Sequence, residues 1–239
     1  MAENRGDGSR LANVAATIKI VIKRLGFGHL LLWIAAALGQ RFSIHVFVVT
    51  NRSIPDADPG DLGDLAAGLE ARLLTCQEVA RFFTREQGYS YQSAFAVDAL
   101  ARGDRCFGVL RGDQLLWYCW YARGPAPIFD DVYAAAEFPY LYVYNAHTDV
   151  AHRGRRLHPI GGLASGRFFA REGYRAFIAY IEATNLPPLI AARRMGERIV
   201  GFAVIRRTPR GARCFTTPGC RKSGFRLIHR SARLQPTPF

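Results

Sequence analysis

Tyr142-Val-Tyr-Asn-Ala-His-Thr-Asp-Val150, then Ala151-His-Arg-Gly-Arg-Arg-Leu-His158, then Pro159-Ile-Gly-Gly-Leu-Ala164 is the stretch on which the fold turns. Its first part is aromatic and β-branched, which predicts a strand over Tyr140–Val150. A tight basic loop follows, with three arginines in four residues, Arg153, Arg155 and Arg156. The spacing beyond it predicts a helix over Ile160–Glu172. A helix N-terminus presents unpaired N–H groups and a partial positive charge. A strand–loop–helix turn of this kind can therefore cradle a phosphate, and arginines beside it add charge for a pyrophosphate. On these residues alone a solvated basic loop is an equal reading.

Working outward, Ala176–Ala183 reads as a strand, Leu189–Met195 as a helix and Arg198–Ile205 as a strand. Upstream, Arg105–Leu110 and Gln114–Arg123 are expected to form a hairpin around Arg111-Gly112-Asp113. A second Arg-Gly-Asp, at 102–104, also reads as turn chemistry. Thr75 with Glu78 three positions on marks a helix start, and Tyr91–Ala101 a further helix. Near the N-terminus, Leu11, Val14, Ala15, Ile18, Val21, Ile22 and Leu25 recur at helical spacing. Gly26 and Gly28 interrupt, Leu30–Leu38 forms another helix, and Ile44–Val49 is a strand. Ser53–Asp64, rich in Pro, Gly and Asp, reads as a linker. These signals divide the chain into an N-terminal helical appendage with acidic linker (1–64), a main domain (65–207) and a basic flexible tail (208–239).

Two motifs in order resemble the GCN5-related N-acetyltransferase (GNAT) superfamily. Its loop follows a strand with the pattern Q/R-x-x-G-x-G/A and opens a helix. Arg153 matches the first position, Gly154 and Arg155 the variable ones and Leu157 the apolar one, while Val150 resembles the strand-end residue. Arg156 and His158 depart from the pattern, standing where the family prefers small residues, and His158-Pro159 is similar to a Tyr-Pro variant. Further on, Phe177–Asn185, Leu186–Gly196 and Arg198–Gly201 resemble the family's strand, Asn, helix, Gly turn and strand. Asn185 and Gly196 match; Glu197 replaces the usual Phe, and Pro188 sits where Ser or Ala is common. The resemblance is good over 140–205, weaker back to Leu73 and absent before Asp64.

The resemblance implies an α/β fold with a mixed, mostly antiparallel central sheet flanked by helices. It implies direct acyl transfer from acetyl-CoA or another acyl-CoA to an amine, in a small molecule or a peptide. Thr148, Val150, Arg153, Gly154, Arg155, Arg156, Leu157, His158 and Asn185 are its expected CoA-binding positions, with main chain around His147–Val150 holding the pantetheine arm. The family's thiolate acid, a Tyr seven residues after the Asn, is here Ala192. For proton handling, His147 and Asp149 share a strand face at i, i+2, and Glu182 ends the next strand; Tyr142, Tyr144 and Tyr180 read as packing or pocket wall. The alternative function is a catalytically degenerate CoA-binding or interaction module.

Composition bounds the rest. The 239 residues carry 32 Lys+Arg against 19 Asp+Glu, for +13. Residues 1–150 contain 14 basic and 16 acidic side chains, whereas 151–239 contain 18 and 3, so the charge lies in the second half. Part of it is expected at a polyanionic cofactor. The tail lacks the interleaved aromatics of a base-stacking surface, so nucleic acid is not the expected partner. Five scattered cysteines and six unclustered histidines argue against a disulfide scaffold and a zinc site. Met1–Arg10 is polar and the longest apolar run, Leu25–Gly39, has 15 residues, so neither a signal peptide nor a membrane crossing is read. The expected location is the cytoplasm, with peripheral membrane contact through the N-terminal helix as a further expectation.

Overall fold

The computed structural model of the chain describes residues 6–54, 67–83 and 93–229. Most of the linker Ser53–Asp64, the start of the expected helix at Tyr91 and the end of the tail lie outside the described residues. Two helices open the chain, α1 (Gly6–Leu25) and α2 (Phe27–Gln40), divided at Gly26 as the sequence predicts. Strands β1 (Ile44–Ser53) and β2 (Glu70–Leu73) follow, then helices α3 (Cys76–Phe82) and α4 (Ser93–Ala101). The hairpin is β3 (Arg105–Arg111) and β4 (Gln114–Ala122), and two short strands, β5 (Ala126–Phe129) and β6 (Val132–Ala136), come next. The decisive stretch is β7 (Tyr140–Thr148) and α5 (Leu157–Ala170), followed by β8 (Ala176–Glu182), α6 (Leu186–Arg194) and β9 (Arg198–Thr208). The chain continues through β10 (Gly211–Thr216), α7 (Pro218–Lys222) and β11 (Phe225–His229).

One sheet of eight strands has the order β10-β9-β1-β8-β7-β4-β3-β2, and a smaller one the order β11-β6-β5. Neighbours are antiparallel except β7 and β8, which run parallel. This is the mixed, mostly antiparallel sheet flanked by helices that the resemblance implies.

Both faces of the large sheet are covered. On one, Trp117, Tyr121, Leu141 and Phe177 pack on Leu157, Ile160 and Phe169 of α5. Beside them Val48 of β1 meets Ala36 of α2 and Leu189 of α6. On the other face, Tyr118 and Trp120 pack with Val79, Phe82 and Ala99 of α3 and α4. The small sheet and α7 lie against Phe47, Val49, Tyr142 and Ile205. The start of α3 is closed by the expected capping box: Thr75 Oγ1 accepts from Glu78 N at 3.2 Å while the Thr75 N–H donates to the Glu78 carboxylate at 2.9 Å.

Two domain boundaries are corrected. Ile44–Ser53 is not part of an appendage: β1 pairs along its length with β8 on one side and β9 on the other. Its Val-Phe-Val-Val core is apolar on both faces, as a strand covered on both sides must be. Nor is the segment after 207 a free tail. Up to His229 it forms an edge strand, a helix and a strand of the second sheet, with Cys220 and Phe225 fully buried.

Candidate functional site

The site lies where β7 and β8 part. They pair at Tyr140↔Ala176, Leu141↔Phe177 and Tyr142↔Ile178, and no further. Yet β7 runs on to Thr148 and β8 to Glu182. A bulge helps to separate them. From Tyr118 to Trp120 β4 spans two steps, while the facing β7 spans three, from His147 to Tyr144. Asn145, inside that bulge, has φ of 51°, a left-handed conformation that Asn tolerates better than most residues. The edge of β7 facing β8, from Val143 to Thr148, is therefore without a strand partner among the described residues. Backbone groups left over in such a notch need hydrogen bonds from a ligand or from water.

Because the two strands are parallel, the helices that follow both begin at the open end of the notch. Both N-termini lack a side-chain cap: Arg156 before α5 and Asn185 before α6 make no capping hydrogen bond. Pro159, Pro187 and Pro188 carry no N–H, so the donors come from Leu157 and His158 of α5 and Leu186 of α6; beside the unpaired edge of β7 they make an anion-attracting crevice at the carboxyl ends of parallel strands.

Arg153, Gly154, Arg155 and Arg156 are all exposed around the α5 N-terminus. Arg153 Nε donates back to the Thr148 carbonyl at 3.4 Å. Gly154 has φ of 80°, and Arg156 has φ of 58°, a left-handed backbone at the position where the family prefers a small residue. The loop therefore keeps a glycine-type path while its arginine side chain remains on the solvent side. Asn185 is exposed at the mouth, and Val150, 68% exposed, is an apolar rim residue.

Two expected cofactor positions work differently. Leu157 is buried in the core beneath α5, so only its backbone can face a ligand. The His158 ring is turned onto β4, where its Nδ1 accepts from Trp117 Nε1 at 3.0 Å. Burial, and then the Arg52 cation, lower its pKa to about 4. His158 is thus a neutral ring whose Nδ1 is committed to the core.

The proposed proton carriers are also separated. His147 lies at the β7 end, its ring stacked 5.6 Å from Tyr118. Burial lowers its pKa, the Arg153 cation adds to the lowering, and Asp149 opposes it. Asp149 uses its two oxygens locally: Oδ1 accepts from Ala151 N at 3.0 Å, and Oδ2 meets His152 Nδ1 at 3.0 Å. Its charge acts on His147 through space. Glu182 is drawn to the N-terminal segment, where Oε1 accepts from Gln40 Nε2 at 2.8 Å and meets His45 Nδ1 at 3.1 Å.

The sequence reading missed a buried polar chain in the wall of the notch. Tyr142, Tyr144 and Tyr180 form a stacked ladder, with centroids 5.3 and 5.8 Å apart. The Tyr142 and Tyr180 hydroxyls interact with each other. Tyr144 Oη donates to Asp104 Oδ2 at 2.6 Å, and Arg102 Nη2 donates to the same oxygen at 2.8 Å. Asp104 is 4% exposed; burial raises its pKa, against the pull of Tyr144 and Arg102. The i, i+2 Tyr spacing was legible as a pocket wall. The link to the Arg102–Asp104 turn, about forty residues away, was not.

No family model matches the chain, and no curated protein matches it. Solved structures do. A conserved protein of unknown function from Staphylococcus epidermidis has TM-score 0.44 at 10% identity, over 72% of this chain and 64% of that one. A tandem GNAT protein from the clavulanic acid biosynthesis pathway has TM-score 0.45 at 15% identity, over 82% and 58%. An aminoglycoside acetyltransferase from an uncultured soil metagenomic sample, in complex with sisomicin, has TM-score 0.41 at 11% identity, over 55% and 90%. The chain thus spans about three fifths of the length of the first and second of these.

Proposed function

We propose that the chain is an acyl-CoA-dependent N-acyltransferase, moving an acyl group, with acetyl as the first expectation, directly from CoA to an amine. One observation carries the reading. The parallel strands β7 and β8 separate into a notch with unpaired backbone, and the uncapped, arginine-rich start of α5 sits at its mouth. A long amide-bearing arm ending in a pyrophosphate has the matching chemistry. Its amides find backbone groups along Val143–Thr148, and its phosphates find helix N–H groups with Arg153, Arg155 and Arg156 nearby. Bound there, the thioester supplies an activated acyl group.

The chain's own residues then have limited work. Main chain at the end of β7 orients the arm and offers N–H donors to an oxygen that gains charge. His147, kept neutral by burial and by Arg153, accepts the proton of the incoming amine directly or through one water, and the CoA thiolate released as the C–S bond breaks takes its proton from water. The tyrosine ladder forms the acceptor-side wall and excludes water. Asp149 and Glu182, engaged elsewhere, shape the field rather than take the proton. The second reading, a non-catalytic CoA-binding module, is favoured by buried Ala192, which provides no hydroxyl where the resemblance implies one.

A free-thiol release assay across acyl-CoA chain lengths with pooled amines tests both. Arg153→Ala is expected to raise the acyl-CoA KM about tenfold, the order of one charge-assisted hydrogen bond. His147→Gln is expected to lower kcat by about 10²-fold and to remove an acidic limb that lies below pH 6.5 in kcat/KM. Saturable acyl-CoA binding without thiol release selects the module; absence of binding overturns both.

A further inference from the structure

The outer face of α2 is inverted for a helix in contact with water. Along Phe27–Gln40 the exposed positions are Phe27, Gly28, Leu31, Ile34, Ala35, Leu38 and Gln40, so Gln40 is the sole polar residue among them. Phe27 is 64%, Leu31 55%, Ile34 40% and Leu38 57% exposed. Their spacing of four, three and four residues puts them in one stripe along the helix. The inner face is already used: Leu30 and Ala36 are buried, and Ala36 and Leu32 pack with Val48 and Leu189. An apolar stripe of this length on a water-facing helix is a surface awaiting a partner.

The charges around it choose among partners. From Gly8 to Pro55 the chain has no Asp or Glu, and Lys19, Lys23, Arg24 and Arg41 stand on or directly after α1 and α2; Glu182, which accepts from Gln40 Nε2, brings a carboxylate to the C-terminal end of α2. Lys19, Lys23 and Arg24 are exposed on α1, which packs against α2. Arg193 of α6 donates to the Arg24 carbonyl at 2.7 Å, which brings the basic end of α6 alongside. A second copy of the chain on this face would oppose like charges across a two-fold interface. An anionic bilayer meets both features, burying the stripe among acyl chains and pairing the cations with headgroups. No helix among the described residues is long and apolar enough to cross a membrane. At 1.5 Å per residue, the 14 residues of α2 reach about 21 Å, which suits a helix lying in the interface.

We infer that the exposed stripe of α2, flanked by the cations of α1 and α6, docks the protein on an anionic lipid surface. The inference is independent of acyl transfer and is tested without it. Full-length protein is floated with vesicles of equal phosphatidylglycerol and phosphatidylcholine, and with pure phosphatidylcholine, while Trp33 emission is followed. Trp117 and Trp120 are buried, so Trp33 on α2 is the tryptophan whose surroundings change. Anionic vesicles should carry the protein up and shift its emission to the blue. The Leu31→Ser/Ile34→Ser/Leu38→Ser variant, with an unchanged circular dichroism spectrum, should lose at least tenfold in partitioning. Where that variant fails to fold, Leu31→Gln alone should still weaken partitioning several-fold. Failure to float, equal flotation with neutral vesicles, or flotation indifferent to these substitutions would overturn the inference. So would a dimer in vesicle-free solution that the substitutions convert to monomer.

Discussion

Arg156 shows how much one residue decides at the site. A left-handed backbone costs a residue with a Cβ about 1 kcal/mol or more, and glycine adopts it freely. Arg156 holds φ of 58° at the last step before α5. The guanidinium, exposed beside the helix N-terminus, is the evident return for that strain. Arg156→Gly is therefore expected to raise stability by up to about 1 kcal/mol in urea unfolding while raising the acyl-CoA KM. A stability loss would show that the side chain holds the loop. The sequence showed the departure from a small residue here; it did not show that the backbone kept the glycine path, because φ is set by the strand and helix that the loop joins.

At the scale of elements, the seam between α5 and β4 governs the notch. A Cβ at Gly161 would lie 2.2 Å from the Trp117 ring, so the helix comes that close only because the residue is glycine. One turn earlier, His158 fastens the same indole. Unfolded, His158 titrates near 6.5; folded, its pKa is lowered to about 4. Between these values the unfolded chain binds more protons, so this contribution is complete above pH 6.5 and is lost as pH falls toward 4. Its size is on the order of 3 kcal/mol at most. Urea midpoints should therefore drop from pH 7 to pH 4, more steeply in the native chain than in His158→Gln. Equal slopes would place the histidine outside the core bond. None of this was legible in a phosphate-loop reading, which assigned His158 to the ligand; the partner that claims it is 41 residues away.

Over the whole molecule, pairing joins remote parts of the chain. The strand between α2 and the linker is an interior strand of the large sheet, third from its β10 edge, and the basic C-terminal segment closes the face beneath it. Truncation after Thr208 removes β10, α7 and β11 and uncovers the side of the core where Cys220 and Phe225 are fully buried. Such a chain should lose its cooperative thermal transition by circular dichroism and bind a hydrophobic dye. Retention of a sharp transition would mean that the last strands are accessory after all. The excess positive charge of residues 151–239 is thereby carried on folded elements, among them the α5 loop and the β9–β10 edge.

The sequence by itself determined the local structure. Helical and strand periodicities, the Thr75–Glu78 capping box, the Arg111–Asp113 turn and the strand–loop–helix at Tyr142–Ala164 all depend on residues within a few positions of one another. Tertiary structure alone decided where those pieces meet. It placed β1 between β8 and β9, folded the segment to His229 onto the core, parted β7 from β8 and gave His158 and Glu182 their partners. The physical reason is that periodicity records which face of an element is apolar, while the strand, ring or carboxylate that covers that face comes from a distant part of the chain.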